Sequence, residues 1–525
     1  MSTVTVQLGQ CGNQLGQQLF QLLHTEATTA PTQTNTASSS LSSSLPASTI
    51  SPYHSSLLDT YFYQPQTKDR HNDAWTARAV LIDMEPKVVE QCLHSTHTKR
   101  PPTLLSARHP HPSNKAAAGI GGSGGAPSGQ WRYDAKSAVC QQSGSANNWG
   151  YGYFVHGERN RERIADVTRR QAEKCDRLDS IHLMQSLAGG TGSGLGVYVL
   201  DLLCDEYPSV SVLNTCVWPF KAGEVTVQCY NASLSMAKIY QQSDGILFVE
   251  NDRYRSLCER LYHIDHLSFP CLNEAIANDL MGALTPLDDP ALSASVGWRP
   301  AIPLMLRQCC THPAYKLLTM RSVPQVPVSS VPYHSDEWSG LLKRLHRMCG
   351  HQLILDFEGA TPHMERGWGS SWGGGGGGGG GMHKTSHPDA PPAGASQQPW
   401  GEEDDQQRWG NVSVGSQLVL RGVDTHRADP APLMKNDNFW SLALDPIVVY
   451  QNPFPFRGLQ RSASLIANDQ SPLTALKEML HRGLGMLVGR AYVHQYEAYG
   501  LGEEAIGEAM QCLTQIIHSY QQLKT

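Results

Sequence analysis

Residues 180–200, SIHLMQSLAGGTGSGLGVYVL, contain five glycines within eight positions and two hydroxyl side chains, Thr191 and Ser193. The residues before the glycines are typical of a buried strand, and Leu195 and Val199 begin an apolar face at helical spacing. A glycine-rich turn between a strand and a helix presents unpaired backbone N–H groups and the positive end of the helix dipole to an anion. Because side chains are absent, phosphate oxygens can reach the backbone. The stretch therefore predicts a phosphate-binding turn.

Two other phosphate-binding motifs are absent or out of context. The chain contains no Gly-Lys pair, which a P-loop requires. The dinucleotide pattern G-x-G-x-x-G occurs at residues 119–124 and within the polyglycine run, but no strand-like segment precedes either match. One charge–dipole contact contributes only about 0.3–1 kcal/mol, so tight nucleotide binding needs several loops and usually a metal ion.

Strand-like and helix-like segments alternate along the first half of the chain, which predicts an α/β domain with a Rossmann-like parallel sheet. In such sheets ligands bind beyond the carboxyl ends of the strands. The residues that follow each strand are therefore the candidates for a binding site. The strand-like segments are TVTVQL near the N-terminus, ARAVLIDMEP (77–86), SIHLMQSL (180–187), VSVLNTCVWPF (210–220) and SDGILFVEND (243–252).

Three stretches have compositions that cannot bury enough apolar surface to form a core. The first, 27–57, is rich in Ser and Thr, and the second, 97–130, is rich in Pro, His and Gly. The third, at about 360–413, contains the polyglycine run and a Pro-rich continuation. We expect all three to be disordered insertions, which surface loops of a stable fold tolerate.

The remaining chain divides into three predicted parts. Residues 1–288 are expected to form the nucleotide-binding domain. Residues 289–484 contain longer mixed segments, among them AYKLLTM, GSQLVLRGV, PIVVYQNP and a helix at 336–349, and predict an α+β intermediate domain. Residues 485–525 are expected to form a helical hairpin.

Bulk composition excludes several classes of protein. The net charge of −6 and the pI of about 6.4 give no signal for nucleic-acid binding. No signal peptide and no apolar run of about 20 residues is visible, so we expect no membrane insertion. Thirteen cysteines without a Cys-x-x-Cys pair favour reduced thiols in the cytoplasm.

Six segments resemble, in order along the chain, motifs of the tubulin superfamily. The match covers nearly everything outside the three biased stretches. Within the superfamily, MSTVTVQLGQCGNQ, LFVENDRYRSLC and LSFPCLNEAIANDL are most similar to the delta branch. The six segments are GQCGNQ (9–14), ARAVLIDMEP (77–86), SGSANNWGYGY (143–153), AGGTGSG (188–194), YNASLS (230–235) and AYVHQYEAYGLGEEAI (491–506).

The resemblance implies a GTP or GDP site of the tubulin/FtsZ type. It assigns Asp83 and Glu85 to Mg²⁺, which prefers one or two carboxylates together with phosphate oxygens. It assigns the loop at 145–147 to the γ-phosphate and the turn at 186–192 to the main phosphate cradle. The implied nucleotide contacts are Gln10, Cys11, Gln14, Ser145, Ala146, Asn147, Ser186, Ala188, Gly189, Gly190, Thr191, Gly192, Glu224 (ribose), Asn251 and Asn273 (guanine) and Phe269 (base stacking).

Several positions depart from the pattern that the resemblance implies. Ser145 and Ala146 stand where tubulins usually have Ala and Gly, and Ala188 replaces the first glycine of a triplet. Gln228 replaces a second ribose-contacting acid. Phe269 replaces a Tyr and retains the stacking surface without the hydroxyl.

The resemblance also implies hydrolysis of GTP in trans, by an acid that one subunit inserts next to its neighbour's nucleotide. The corresponding residues, 296–310, contain no Asp or Glu, and the nearest acids are Asp288 and Asp289. We therefore expect GTP binding with weak or absent activation of hydrolysis, although GTPase activity stays possible.

By resemblance, the expected function is that of a GTP-binding cytoskeletal protein at centrioles and basal bodies, supporting triplet microtubules and cilium formation. The expected partners are alpha- and beta-tubulin, with an epsilon-type tubulin as a further candidate. One alternative is an ordinary microtubule-lattice subunit with GTPase activity; the missing acid and the nearly neutral end SYQQLKT count against it. A more remote alternative is a dinucleotide-dependent metabolic enzyme, for which neither a credible glycine motif nor a catalytic acid–base pair is found.

Overall fold

The structure is a computed structural model of the 525-residue chain. Most of the described chain belongs to one compact unit, Met1–Asp356 together with Gly410–Thr525; the other unit, Phe357–Trp409, lies outside the described residues. The described residues are 1–28, 51–65, 74–95, 131–223, 225–262, 264, 267–288, 297–326, 331, 336–350, 411–434, 439–443 and 445–524.

A ten-stranded sheet runs through this unit in the order β14-β13-β15-β12-β9-β8-β7-β1-β4-β6. Two small sheets, β2-β3-β5 and β10-β11, flank it. The strands of the described residues are β1 Ser2–Leu8, β2 Phe62–Tyr63, β3 Trp75–Ala77, β4 Ala79–Asp83, β5 Trp131–Arg132, β6 Ala138–Cys140, β7 Leu178–Ser186, β8 Ser211–Trp218, β9 Gly245–Glu250, β10 Leu287–Asp288, β11 Trp298–Arg299, β12 Leu317–Val323, β13 Ser413–Gly422, β14 Ile447–Asn452 and β15 Arg461–Asp469.

Helices cover both faces of the large sheet, and two of them are preceded by a π-helical turn, Tyr151–Gly157 before α4 and Thr191–Leu195 before α5. The α-helices of the described residues are α1 Gly9–Thr28, α2 Pro52–Tyr61, α3 Pro86–Ser95, α4 Glu158–Ala172, α5 Gly196–Glu206, α6 Gln228–Gln242, α7 Asn251–Arg260, α8 Phe269–Leu284, α9 Ala301–Cys309, α10 Trp338–Gly350, α11 Leu473–Val488, α12 His494–Glu497 and α13 Glu503–Gln521.

From β6 to β12 every neighbouring pair of strands is parallel. Central strands such as β1 and β8 are buried on both faces, as parallel sheets with helices on each side require. Side chains that alternate along the parallel strands pack into two apolar layers. Val4, Val6 and Leu8 face the layer that contains α5, α6, α11 and α13, and Leu81 faces the layer that contains α1 and α8. The parallel arrangement brings the carboxyl ends of β1, β4, β7 and β9 to one edge of the sheet.

The second half of the chain extends the same sheet. β15 pairs antiparallel with β12 and β13, and β14 completes the edge. The predicted α/β sheet and α+β segment are both present, but no strand was predicted at 461–469. The proposed intermediate part thus shares a continuous sheet with the nucleotide-binding part.

Four predicted boundaries need correction. α1 continues to Thr28 and α2 begins at Pro52, so the predicted disordered segment 27–57 is too wide at both ends; 29–50 lies outside the described residues. The segment 97–130 also lies outside them, as does most of 360–413, although β13 already begins at Ser413. The predicted hairpin boundary at 485 cuts α11, which starts at Leu473 and packs against α13.

Candidate nucleotide-binding site

A cavity of about 380 Å³ lies at the carboxyl edge of the parallel strands. It brings together every predicted site residue except Glu224, which lies outside the described residues. Residues that are up to 263 positions apart in the chain, such as Gln10 and Asn273, therefore face one volume. The predicted residues that line it are Gln10, Cys11, Gln14, Asp83, Glu85, Ser145, Ala146, Asn147, Ser186, Ala188, Gly189, Gly190, Thr191, Gly192, Asn251, Phe269 and Asn273.

Five further residues line the cavity and were not predicted: Leu8, Gly9, Val88, Val225 and Leu272. Four of them are apolar side chains close in sequence to predicted residues: Leu8 ends β1, Val225 lies in the loop before α6, and Val88 and Leu272 lie in the first turns of α3 and α8. A sequence shows which polar residues could contact a ligand, but the apolar wall depends on the packing of the elements. Their adjacency to predicted residues is the signal that could have found them.

Helix N-termini supply the positive potential of the cavity. The first residues of four helical segments line it: Gly9 of α1, Thr191 of the π-helical turn, Asn251 of α7 and Phe269 of α8. No Lys or Arg is among the described residues that line the cavity. An anion here would therefore be held by backbone N–H groups, helix dipoles and an added cation.

Most glycines of the 189–196 turn are needed because neighbouring backbone and side-chain atoms pack closely against them. A Cβ atom on Gly192 would lie 2.7 Å from the Ser186 carbonyl oxygen, and one on Gly194 would lie 2.1 Å from that of Trp149. A Cβ on Gly189 would meet only one atom, at 3.4 Å. Our expectation that all five glycines expose backbone to phosphate is therefore too broad, because the strand and the neighbouring loop approach most of them closely.

Asp83 is a buried acid at the end of β4, with 4% of its surface exposed. The Met84 N–H donates to its Oδ1 at 2.8 Å. Burial raises the pKa of Asp83 from 3.8 to about 6, and the groups that act on that pKa include no cation within the described residues. Glu85 lies on the same turn and is exposed. A buried carboxyl without a cation beside a phosphate-sized cavity fits a divalent ion that phosphate oxygens help to coordinate.

The chain alone does not complete such a metal site. Among the described residues, no group of three His, Cys, Asp or Glu side chains could hold an ion. Mg²⁺ keeps several waters in its shell and is usually bound by one or two carboxylates together with phosphate oxygens.

The loop at 145–147 adopts an unusual backbone. Ala146 and Asn147 have positive φ angles of 48° and 54°, both in the left-handed region. The Asn148 N–H donates to the Ser145 carbonyl at 2.9 Å and closes the turn, while the Ser145 and Thr191 hydroxyls lie 2.7 Å apart. The hydroxyl contact joins this loop to the glycine-rich turn.

The far end of the cavity is suited to a planar base. Phe269 is 54% exposed although it is a large apolar ring, and it lines the cavity. Asn251 and Asn273 are each 5% exposed and line the same region. A ring available for stacking and two amides that can donate and accept hydrogen bonds match the chemistry of a purine.

Gln228 lies behind the cavity. Its Nε2 donates to the Phe220 carbonyl at 3.0 Å, and the Val225 N–H lies 3.5 Å from its Oε1. The side chain thus shapes the loop before α6, whereas Val225 of that loop reaches the cavity wall.

Asn231 belongs to the segment YNASLS, and the sequence predicted no role for it. The residue is fully buried behind the site. Its Nδ2 donates to the carbonyls of Asn147 and Ala188, each at 2.8 Å. Its Oδ1 accepts from the Trp149 N–H at 3.1 Å and from the Tyr496 hydroxyl at 2.7 Å. One amide therefore joins two cavity loops to the C-terminal part of the chain.

Within the described ranges, no helix is long and apolar enough to cross a bilayer.

Comparisons with known proteins identify the family of the chain. A family model described as the GTPase domain of the Tubulin/FtsZ family matches residues 2–259. The chain is 32% identical over 522 residues to a dog (Canis lupus familiaris) protein named tubulin delta chain, and 31% identical over 533 residues to the human (Homo sapiens) protein of that name; each alignment covers 99% of both chains. The mouse (Mus musculus) tubulin delta chain is 31% identical over 529 residues, with the same coverage. The GTPase domain implies guanine-nucleotide binding, and the chain belongs to the tubulin family.

Proposed function

We propose that this tubulin-family chain binds GTP with Mg²⁺ in the 380 Å³ cavity and acts as a specialised cytoskeletal subunit of centrioles and basal bodies. The observation that carries the nucleotide proposal is the convergence of the phosphate, metal and base candidates on one volume. They come from the segments that follow β1, β4, β6, β7 and β9 and from α8, and they span residues 10–273, about half of the chain.

Each end of the cavity has a proposed role. The turn at 186–192 and the first turn of α1 bind the α- and β-phosphates through backbone N–H groups, and the loop at 145–147 contacts the γ-phosphate. Asp83, with Glu85 through water, holds Mg²⁺, which neutralises charge on the phosphates. Phe269 stacks on the base.

We infer weak hydrolysis by the isolated chain. α9 and the residues before it, 297–310, carry no acid that could position water beside a neighbour's nucleotide. Purified protein should bind GTP with little turnover. Measurable turnover that disappears on substitution within 296–310 would contradict this.

The cellular role rests on the relatives. Proteins named tubulin delta chain match this chain over 99% of its length. From the resemblance of its motifs to the delta branch, we propose a centriolar role in triplet microtubules and cilium formation. The proposed partners are alpha- and beta-tubulin, with an epsilon-type tubulin as a further candidate. A bulk lattice subunit is the competing role.

Two experiments test the proposal. Protein purified under native conditions should release guanine nucleotide, identified by mass spectrometry, and should bind GTP more tightly with Mg²⁺ than with EDTA. An empty protein that millimolar MgGTP neither binds nor stabilises would overturn nucleotide binding.

A tagged copy in ciliated cells tests the role separately. Paired puncta at the ciliary base are expected, whereas filaments throughout the cytoplasm would favour the bulk lattice subunit. Reconstitution with alpha/beta-tubulin and an epsilon-type tubulin would show which complex the chain joins.

A further inference from the structure

The segment between α11 and α13, residues 489–502, here called the connector, packs directly behind the candidate nucleotide site. The Asn148 Nδ2 donates to the Gln495 carbonyl at 3.0 Å, and the rings of Tyr151 and Tyr499 lie 5.6 Å apart, edge to face. A Cβ atom on Gly150 would lie 3.0 Å from the Cβ of Tyr499. The connector therefore packs closely against the backbone at 148–151.

The Asn231 amide connects the connector to two loops that line the cavity. Its two donors hold carbonyls of the 145–147 loop and the 186–192 turn, and one of its acceptor contacts comes from the Tyr496 hydroxyl of the connector. Asn231 and Tyr496 are both fully buried, and all four contacts of the amide are within 3.1 Å. Because an amide's donors and acceptor are fixed in one plane, the Tyr496 hydroxyl orients the same group that positions both loops.

We propose that Asn231 and Tyr496 are positioning residues for the nucleotide, through which the connector sets the affinity of the site for the triphosphate. The inference rests on the proposed function, because it takes the 145–147 loop as the γ-phosphate contact. Neither side chain lines the cavity, so neither touches the nucleotide.

The local backbone explains why this loop needs external support. Two consecutive residues, Ala146 and Asn147, have left-handed backbones that L side chains rarely adopt. Both are exposed towards the cavity. Such a conformation persists only where surrounding contacts hold it. The bond from Asn231 to the Asn147 carbonyl is one such contact, and Tyr496 fixes the orientation of its donor.

The test compares two buried Tyr→Phe variants of the C-terminal region. Tyr496→Phe removes the hydroxyl that donates to Asn231. Tyr520→Phe is the matched control: its hydroxyl is also fully buried, donates to the Asn468 Oδ1 at 2.7 Å and accepts from the Leu317 N–H, away from the cavity. Affinities for a non-hydrolysable GTP analogue and for GDP are measured by titration calorimetry with Mg²⁺.

We expect Tyr496→Phe to weaken binding of the GTP analogue about five- to tenfold, the effect of one lost hydrogen bond, and binding of GDP less than about twofold. Tyr520→Phe should leave both affinities unchanged even though it lowers the melting temperature. Hydrogen exchange of the backbone at 145–149 should accelerate in the Tyr496 variant alone. Asn231→Asp places a carboxylate against two carbonyl oxygens, so it should weaken binding of the GTP analogue more than Tyr496→Phe does.

The outcomes separate the two proposals. If wild-type protein binds no guanine nucleotide, the proposed function fails and this inference fails with it. If the wild-type protein binds guanine nucleotide but Tyr496→Phe has the same affinities, the positioning role is overturned and the proposed function stands. The same holds if Tyr496→Phe lowers the affinities for the GTP analogue and for GDP equally. Equal losses in the Tyr496 and Tyr520 variants would also overturn the positioning role, since general destabilisation would then explain both.

Discussion

At the scale of single residues, the site contains groups whose surroundings are unfavourable until a ligand arrives. Asp83 is a carboxyl buried without a cation in the described structure, Ala146 has a left-handed backbone, and Phe269 exposes half of an aromatic ring. Each departs from what the folded chain alone would favour. Departures of this kind cluster where a protein binds something.

Asp83→Asn should stabilise the free protein and weaken MgGTP binding. Burial raises the pKa of Asp83 to about 6, so ionising it in the folded state is unfavourable. The folded state holds its proton more tightly than the unfolded chain, so this contribution to stability falls as pH rises from about 4 through about 6. At pH 7.5 we expect the variant to be up to about 2 kcal/mol more stable than wild type, measured by urea unfolding without nucleotide.

The pH series supplies the control for this prediction. The difference between Asp83→Asn and wild type should shrink towards zero as pH falls below about 3, where the carboxyl is protonated in both the folded and the unfolded wild type. A difference independent of pH would contradict the assignment to this carboxyl. Below about pH 6, the affinity of the wild type for MgGTP should decrease, because Mg²⁺ requires the ionised Asp83 carboxylate.

Ala146→Gly should stabilise the free protein by about 1 kcal/mol, because glycine adopts a φ of 48° without the Cβ clash. This change also restores the residue usual in tubulins at this position. Thermal unfolding measures it, with Ala172→Gly as the matched control. Ala172 is the last residue of α4, where the same substitution should be neutral or destabilising. A loss of stability in Ala146→Gly would show that the backbone angle is not a source of strain.

Phe269→Ala should weaken GTP binding about three- to tenfold, the range for one lost aromatic stacking contact. Because the ring is 54% exposed without ligand, its removal should change the melting temperature of the free protein little. Phe154→Ala is a suitable control, since that ring is 42% exposed and does not line the cavity. Unchanged affinity in the Phe269 variant would contradict stacking at this position.

At the scale of elements, β15 holds the second half of the sheet together through buried polar groups. Arg321 of β12 and Asp469 at the end of β15 form an ion pair at 2.8 Å, and both side chains are almost fully buried. The Ser471 hydroxyl accepts from Arg321 at 2.6 Å, and the Asn411 amide donates to Asp469 at 2.9 Å. The network joins the start of the segment after residue 410 to the centre of the sheet.

Asp469→Asn should lower the free energy of unfolding by about 3–5 kcal/mol, because it leaves the Arg321 charge buried without its partner. Asp166→Asn is the control: Asp166 pairs with Arg169 and Arg170 on the exposed face of α4, where loss of a pair costs at most about 1 kcal/mol. Urea midpoints compare the two. Equal midpoints would show that the buried pair is no more stabilising than a surface pair.

β15 also shows which elements the sequence can predict. β1 and β4 are apolar runs bounded by turns, and both appear within three residues of their predicted bounds. β15, RSASLIAND, carries buried polar residues such as Ser464 and Asn468. The Asn468 side chain donates to the carbonyls of Cys309 and Tyr315, which lie far away in the sequence, so no local pattern marks the strand. Likewise the polar cavity residues follow strand ends and are recognisable. The role of Asn231 instead depends on contacts with Asn147 and Tyr496, which lie 84 and 265 positions away in the chain.

At the scale of the whole molecule, the nucleotide edge and the second half of the chain share one sheet. β9, whose end carries Asn251, pairs with β12, and β12 pairs with β15. α13 packs on α6, which carries Asn231. One apolar layer contains residues of β1, α6 and α13, so the strands that end at the cavity share a core with the C-terminal helices.

This continuity predicts that MgGTP stabilises the described unit as a whole. At a free concentration of 100 times its dissociation constant, the nucleotide should add about 2.7 kcal/mol to the free energy of unfolding. Differential scanning calorimetry should show one transition that moves upward as a unit, and hydrogen exchange should slow in β15 as well as around the 186–192 turn. Asp83→Asn should abolish the Mg²⁺-dependent part of the shift. If two transitions appeared and MgGTP moved only one of them, the two halves would unfold independently in spite of the shared sheet, and the β9–β12 pairing would not transmit stability between them.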